Sequence, residues 1–120
     1  MVLADTSVWI DHLRANDRTL ADLLEANGVL THPFVVGELS MGNLRARKLV
    51  LETLHRLPRV VAATDDEVLH FVERHALYGR GIGYVDAHLL AAARLSGEKL
   101  WTRDRRLASA AEEFGLAACT

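Results

Sequence analysis

Val2-Leu3-Ala4-Asp5-Thr6-Ser7-Val8-Trp9-Ile10 stands near the start of the chain, and its reading decides the fold. Three apolar residues stop at an aspartate, a threonine and a serine, whose short oxygen-bearing side chains cap helices. The stretch therefore predicts a brief buried strand feeding directly into a helix. Trp9, Ile10 and Leu13 then fall at helical spacing and predict one inward face. Four more short apolar runs follow: Val29-Leu30-Thr31, Arg59-Val60-Val61-Ala62, Leu100-Trp101-Thr102 and Leu116-Ala117-Ala118, each predicting a strand.

Between these runs the periodicity is helical. Asn16-Asp17 starts a segment with Leu20, Leu23 and Leu24 inward, closed by Asn27-Gly28, and Pro33 suits the first turn of a helix continuing toward Leu44. Residues 46–57 place Leu49, Val50, Leu54 and Leu57 in register before Pro58 stops them. Thr64 and Glu67 form a capping box ahead of Val68, Leu69, Val72 and Leu77, and Gly79-Arg80-Gly81-Ile82-Gly83 predicts a flexible loop. Residues 84–96, rich in alanine and leucine and closed by Gly97, are the clearest helix; Asp104 caps another that runs through Glu113 to Gly115. Strands that alternate with helices need crossovers, so the expectation is an α/β fold: a five-stranded parallel sheet covered on both faces, in a single domain over residues 1–120.

Composition narrows the function. Half of the 120 residues are hydrophobic and 25% are charged, which excludes a disordered tail. No apolar run approaches the roughly 20 residues of a membrane span, and Asp5 arrives too early for a secretory apolar region, so a cytoplasmic protein is expected. Cys119 is the only cysteine, which excludes an internal disulfide and a thiolate zinc cage. The formal charge of −2 argues against holding nucleic acid by bulk positive charge. With four carboxylates set aside as metal ligands, however, twelve acids would face fourteen bases.

Those four are acids in places where acids are costly. Glu38 sits within Phe34-Val35-Val36-Gly37-Glu38-Leu39 and Asp86 within Tyr84-Val85-Asp86-Ala87-His88-Leu89-Leu90, while Asp5 and Asp104 each follow a strand. In open parallel sheets ligands bind beyond the carboxyl ends of strands, so Asp5 and Asp104 meet there if their strands are neighbours. Two carboxylates ~4 Å apart repel by ~4 kcal/mol at an effective dielectric near 20, and such a cluster binds cations or takes up protons. A hard divalent ion with oxygen ligands is the natural occupant. Taken singly, each acid has a plainer reading: Asp5 and Asp104 as helix N-caps, Asp86 as a first-turn charge answering the helix dipole, Glu38 as one half of a salt bridge.

Taken together, Asp5-Thr6-Ser7-Val8-Trp9-Ile10-Asp11, Val36-Gly37-Glu38-Leu39, Gly83-Tyr84-Val85-Asp86-Ala87 and Trp101-Thr102-Arg103-Asp104 resemble, in order and from end to end, the four acidic motifs of PIN-domain nucleases, and most closely VapC-type toxins. The resemblance implies a three-layer α/β/α sandwich and a Mg2+- or Mn2+-dependent endoribonuclease that cleaves RNA with a metal-activated water. It also implies a homodimer and a cognate VapB-type antitoxin that blocks the site. On the matching positions Asp5 and Asp86 are the central metal ligands, Glu38 and Asp104 complete the acidic pocket, and Ser7 and Thr102 are the supporting hydroxyls. Arg45, Arg80 and Arg103 lie near the motif segments and are candidate contacts to RNA phosphates. Trp9, Phe34 and Trp101 are expected in the core, and His88, two residues past Asp86 on a helix, points elsewhere.

A different class of protein shares this length and an acidic pocket: a non-enzymatic phospho-receiver module. It would need paired acids after the first strand and an acceptor aspartate after the third. Asp65-Asp66 instead lie inside the capping box, and no Lys-Pro follows a late strand.

Overall fold

The structure, a computed structural model, describes residues 1–119. Strand β1 (Val2–Ala4) is central, with β2 (Val29–Leu30) on one side and β3 (Lys99–Trp101) on the other, all parallel in the order β2-β1-β3. Its register pairs Leu3 with Leu30 and with Leu100, and Ala4 with Trp101. The expected adjacency of the strands ahead of Asp5 and Asp104 is therefore present.

Among the described residues three strands form ladders, not the five expected. The other two segments lie where strands were placed, but each joins by a single parallel bridge, Thr31 with Arg59 and Leu100 with Ala117. On the β2 side the ladder stops for a local reason: the bridge is made by the Thr31 N–H to Pro58 O and the Val60 N–H to Thr31 O, and the next donors on either side would be Pro58 and Pro33, which have no N–H to give.

Among the described residues seven helices connect and cover these segments: α1 (Thr6–Ala15), α2 (Arg18–Glu25), α3 (Pro33–Ser40), α4 (Arg47–Arg56), α5 (Asp65–Arg74), α6 (Tyr84–Ser96) and α7 (Arg105–Glu113). The Thr64 and Glu67 capping box forms as expected. Helix α3 ends at Ser40 rather than near Leu44, because the Met41 and Gly42 N–H groups turn back onto the Glu38 and Leu39 carbonyls and close the last turn.

The core follows from which faces are apolar. Every residue from Ala87 to Ala93 in α6 is buried, so this helix is enclosed on all sides, and its alanines let neighbouring backbones approach closely. It packs against α5 and β3. Helix α1 is rotated from its expected phase: Val8 and Trp9 are buried, while Ile10 and Leu13 are 43% and 36% exposed. The buried face runs through Asp5, Val8 and Trp9, with the half-buried His12 next along it, three and four residues apart, so fixing Asp5 at the sheet end sets which apolar residues turn outward. Trp101 is buried as expected, whereas Phe34 is 38% exposed at the rim, edge-on to His32 and His88.

Candidate active site

Asp5 sits at the N-cap position of α1 but does not cap it. Its carboxylate turns the other way: Ser7 Oγ and Thr102 Oγ1 each donate to Oδ2 at 2.8 Å, and the residue is only 7% exposed. The N-cap reading of Asp5 is thereby replaced, since a capping aspartate would accept from its own helix. The two hydroxyls belong to different strand ends, and the Arg103 N–H donates back to Ser7 Oγ at 3.0 Å. Ser7 and Thr102 thus stitch the end of β1 to the end of β3 around one buried carboxylate.

Asp104 keeps its plainer role as well. Its Oδ1 accepts the Arg106 and Leu107 N–H groups at 2.9 and 3.0 Å, so it caps α7. Thr102 Oγ1 accepts the Asp104 N–H at 3.0 Å, tying this acid to the same hydroxyl that supports Asp5. Asp86 stands in the first turn of α6 and accepts the Gly83 N–H at 3.3 Å. Glu38 is not enclosed among its apolar neighbours. Val35, Val36 and Leu39 take the buried face of α3, and Glu38 opens outward to accept from Thr6 Oγ1 at 2.8 Å. It lines a cavity of about 490 Å³ with Ile10, Leu13, Leu44 and Arg45.

Electrostatics bring the four acids into one group. Burial, then the negative charge of Asp5, and then those of Asp104 and Glu38, push the Asp86 carboxyl above its ordinary range; the Gly83 N–H pulls the other way. Among the described residues none of the four forms an ion pair with a lysine, arginine or histidine. Nor do any three histidine, cysteine, aspartate or glutamate side chains there close into a ready-made ligand cage. An all-oxygen donor set with uncompensated charge suits a hard cation such as Mg2+, which takes only one or two carboxylates directly and keeps several waters.

The arginines divide. Arg103 is committed elsewhere: its guanidinium pairs with Asp11 at 3.0 Å and with Asp17, and lies over the Trp101 ring. Arg80 pairs with Glu113 at 2.7 Å, and Arg45 reaches the Glu38 cavity. Because exposed pairs contribute little and a ring contact adds less than ~1 kcal/mol, Arg103→Gln is expected to lower the melting temperature slightly and to leave kcat/KM for RNA within twofold. A tenfold loss in kcat/KM with unchanged melting would return Arg103 to the substrate contacts.

Two supports escaped the sequence reading. Thr6, which holds Glu38, is visible only as one more hydroxyl beside Asp5. The second is a set on the far side of α6: Asp65 Oδ1 accepts from Tyr84 Oη at 2.6 Å and lies 3.1 Å from His88 Nε2. It pins the first turns of α5 and α6, and so the turn that carries Asp86. Asp65, the acid a receiver module would need free, is engaged there.

Residues 2–113 match the family described as PIN domain. The chain belongs to the PIN-domain family, among its VapC-type members. It is 48% identical over 118 residues to "Ribonuclease VapC32" of Mycobacterium tuberculosis, in strains CDC 1551 / Oshkosh and H37Rv alike, covering 98% of this chain and 95% of the relative. Among solved structures, FitAcB from Neisseria gonorrhoeae superposes with a TM-score of 0.66 at 20% identity, covering 93% of this chain and 94% of that one. PAE2754 from Pyrobaculum aerophilum gives 0.60 at 20%, over 90% and 77%. These two likenesses speak to the fold.

Proposed function

We propose that this chain is a Mg2+- or Mn2+-dependent endoribonuclease, the toxin of a VapBC-type pair, acting in the cytoplasm as a homodimer and restrained by a VapB-type antitoxin. The observation that carries the reading is the uncompensated carboxylate group of Asp5, Glu38, Asp86 and Asp104 beyond neighbouring parallel strands. The name and near-complete coverage of the 48% identical relative support it. The reading extends to one PIN domain over residues 1–120, a three-layer α/β/α sandwich whose sheet reaches five positions when the two bridged segments are counted. No helix among the described residues is long and apolar enough to cross a membrane.

Asp5 and Asp86 would hold the cation, with Glu38 and Asp104 completing the pocket. When bound, the ion neutralises phosphate oxygens and makes water a better nucleophile. The chain's own contribution is orientation and proton handling. Ser7 and Thr102 both engage Oδ2 of Asp5 and leave Oδ1 without a hydrogen-bond partner among the described residues. Thr6 steadies Glu38, and α7 steadies one oxygen of Asp104. A carboxylate among Glu38, Asp86 and Asp104 would accept the proton of the attacking water; in Asp86 the Gly83 N–H engages Oδ2 and leaves Oδ1 open. The 3′ oxygen leaves without a covalent enzyme intermediate.

Purified protein should cleave single-stranded RNA with added Mg2+ or Mn2+ and stop in EDTA, and its expression without a partner should arrest growth. Undiminished cleavage by metal-stripped protein, or no cleavage with either ion, would overturn the reading.

A further inference from the structure

Arg105 and Arg106 open α7 directly after Asp104, and Arg80 and Ile82 belong to the glycine loop directly ahead of α6 and Asp86. With Ser109 they line a cavity of about 230 Å³. Its walls therefore come from the two segments that deliver Asp86 and Asp104 to the acidic pocket. Glu113 occupies Arg80, but Arg105 and Arg106 have no carboxylate partner among the described residues. Ser109 adds an exposed hydroxyl on the next turn.

Gly81 explains how one guanidinium is placed. The Arg106 side chain lies against the loop backbone there: a Cβ on Gly81 would fall 2.2 Å from an Nη atom and 2.8 Å from Cδ, and φ is +75°. The residue supplies both the left-handed conformation and the room for Arg106. Two unpaired guanidiniums along one cavity, with a hydroxyl beside them, form a receptor for a tetrahedral oxyanion, since arginine's planar fork matches phosphate oxygens in pairs.

We infer that this cavity is a phosphate-binding subsite that takes a backbone phosphate of single-stranded RNA next to the one being cut. For its ligand the inference rests on the ribonuclease reading. The subsite sets where the strand lies across the acids, a positioning role for Arg105 and Arg106, and it explains how a chain of net charge −2 holds a polyanion beside four carboxylates.

The test compares wild type with the Arg105→Gln/Arg106→Gln and Arg105→Lys/Arg106→Lys double variants. Arg18→Gln, exposed on α2, is the control. Binding of a fluorescent mixed-sequence oligoribonucleotide is followed by anisotropy in EDTA over a range of salt, and RNA cleavage separately with Mg2+. Each single-strand phosphate neutralised contributes about 0.7 to the slope of log K against log salt. The Gln pair should lose at least about that much slope and raise KM about tenfold with kcat within twofold, whereas the Lys pair should keep most of the slope and the control all of it. An unchanged slope in the Gln pair, or an equal loss in the Lys pair, would overturn the subsite. Should wild type cleave nothing, the ribonuclease reading fails, while the slope still decides the subsite.

Discussion

Asp86→Asn is expected to abolish RNA cleavage while melting above wild type in EDTA at neutral pH. A carboxyl whose folded pKa is raised is a charge the fold pays to keep: the folded state binds the proton more tightly than the unfolded chain, so stability rises as pH falls through the folded value toward the ordinary 3.8. Asparagine removes the charge but leaves a carbonyl oxygen to accept the Gly83 N–H, so the half-capped turn survives. Metal-assisted catalysis is worth several kcal/mol, and at 1.36 kcal/mol per tenfold the activity should fall by about a thousandfold. The variant should also forfeit most of its stabilisation by Mg2+, which for a ligand at ~100 times its dissociation constant is ~2.7 kcal/mol. Asp22→Asn, exposed on α2, should do none of this. Identical melting of Asp86→Asn and wild type in both EDTA and saturating Mg2+ would mean that Asp86 only answers a helix dipole.

The same distinction shows where sequence reading was sufficient and where it stopped. The strand and helix order was legible because apolar periodicity and capping chemistry are local: Thr64 with Glu67, Gly97 and Pro58 each act on residues within one turn. The juxtaposition of Asp5 with Thr102 was legible only as a condition, since strand adjacency is a property of the whole sheet, and the register of Ala4 on Trp101 supplies it. Helix phase was not legible. Ile10 and Leu13 have apolar side chains at helical spacing, yet the constraint that turns them outward comes from the buried carboxylate of Asp5, tied to a residue 97 positions away. Nor could sequence separate arginines bonded to their own chain from unpaired ones: Arg103 and Arg106 read alike, and only the placement of Asp11, Asp17 and Gly81 tells them apart. Asp104 carries a more general lesson, because it is at once a helix cap and a member of the acid group, so the plain reading and the functional one need not compete.

Between pH 6.5 and 4 the protein should lose roughly 2.5 kcal/mol of stability through His32 alone. This residue is the N-cap of α3, with Nδ1 accepting the Phe34 N–H at 2.9 Å, and it is 1% exposed. Burial, then the charges of His88 and Arg59, push its pKa down from 6.5 to about 4. A protonated ring has no acceptor, so the proton that the unfolded chain takes up readily would cost the folded state its cap; Nε2 has no partner among the described residues to receive a charge either. The sign follows: the contribution is fully present above the unfolded pKa and is lost as pH falls through the folded one. A shift of about 2.5 units corresponds to ~3.4 kcal/mol in all at 1.36 per unit, of which roughly 2.5 kcal/mol is lost between pH 6.5 and 4 because the folded ring is only half protonated at its own pKa. That is a drop of roughly 10 °C in Tm for a chain of this size. Asp86 works in the opposite direction, which makes the comparison between variants, and not the wild-type curve, the decisive measurement. His32→Asn keeps an oxygen to accept the Phe34 N–H and carries no charge at any pH, so its Tm should be lower at pH 7 for lost packing yet far flatter toward pH 4.5. Since α3 carries Glu38, wild-type cleavage should fail over the same acid range that unfolds the cap. An unaltered dependence of Tm on pH in His32→Asn would show that the acid sensitivity arises elsewhere.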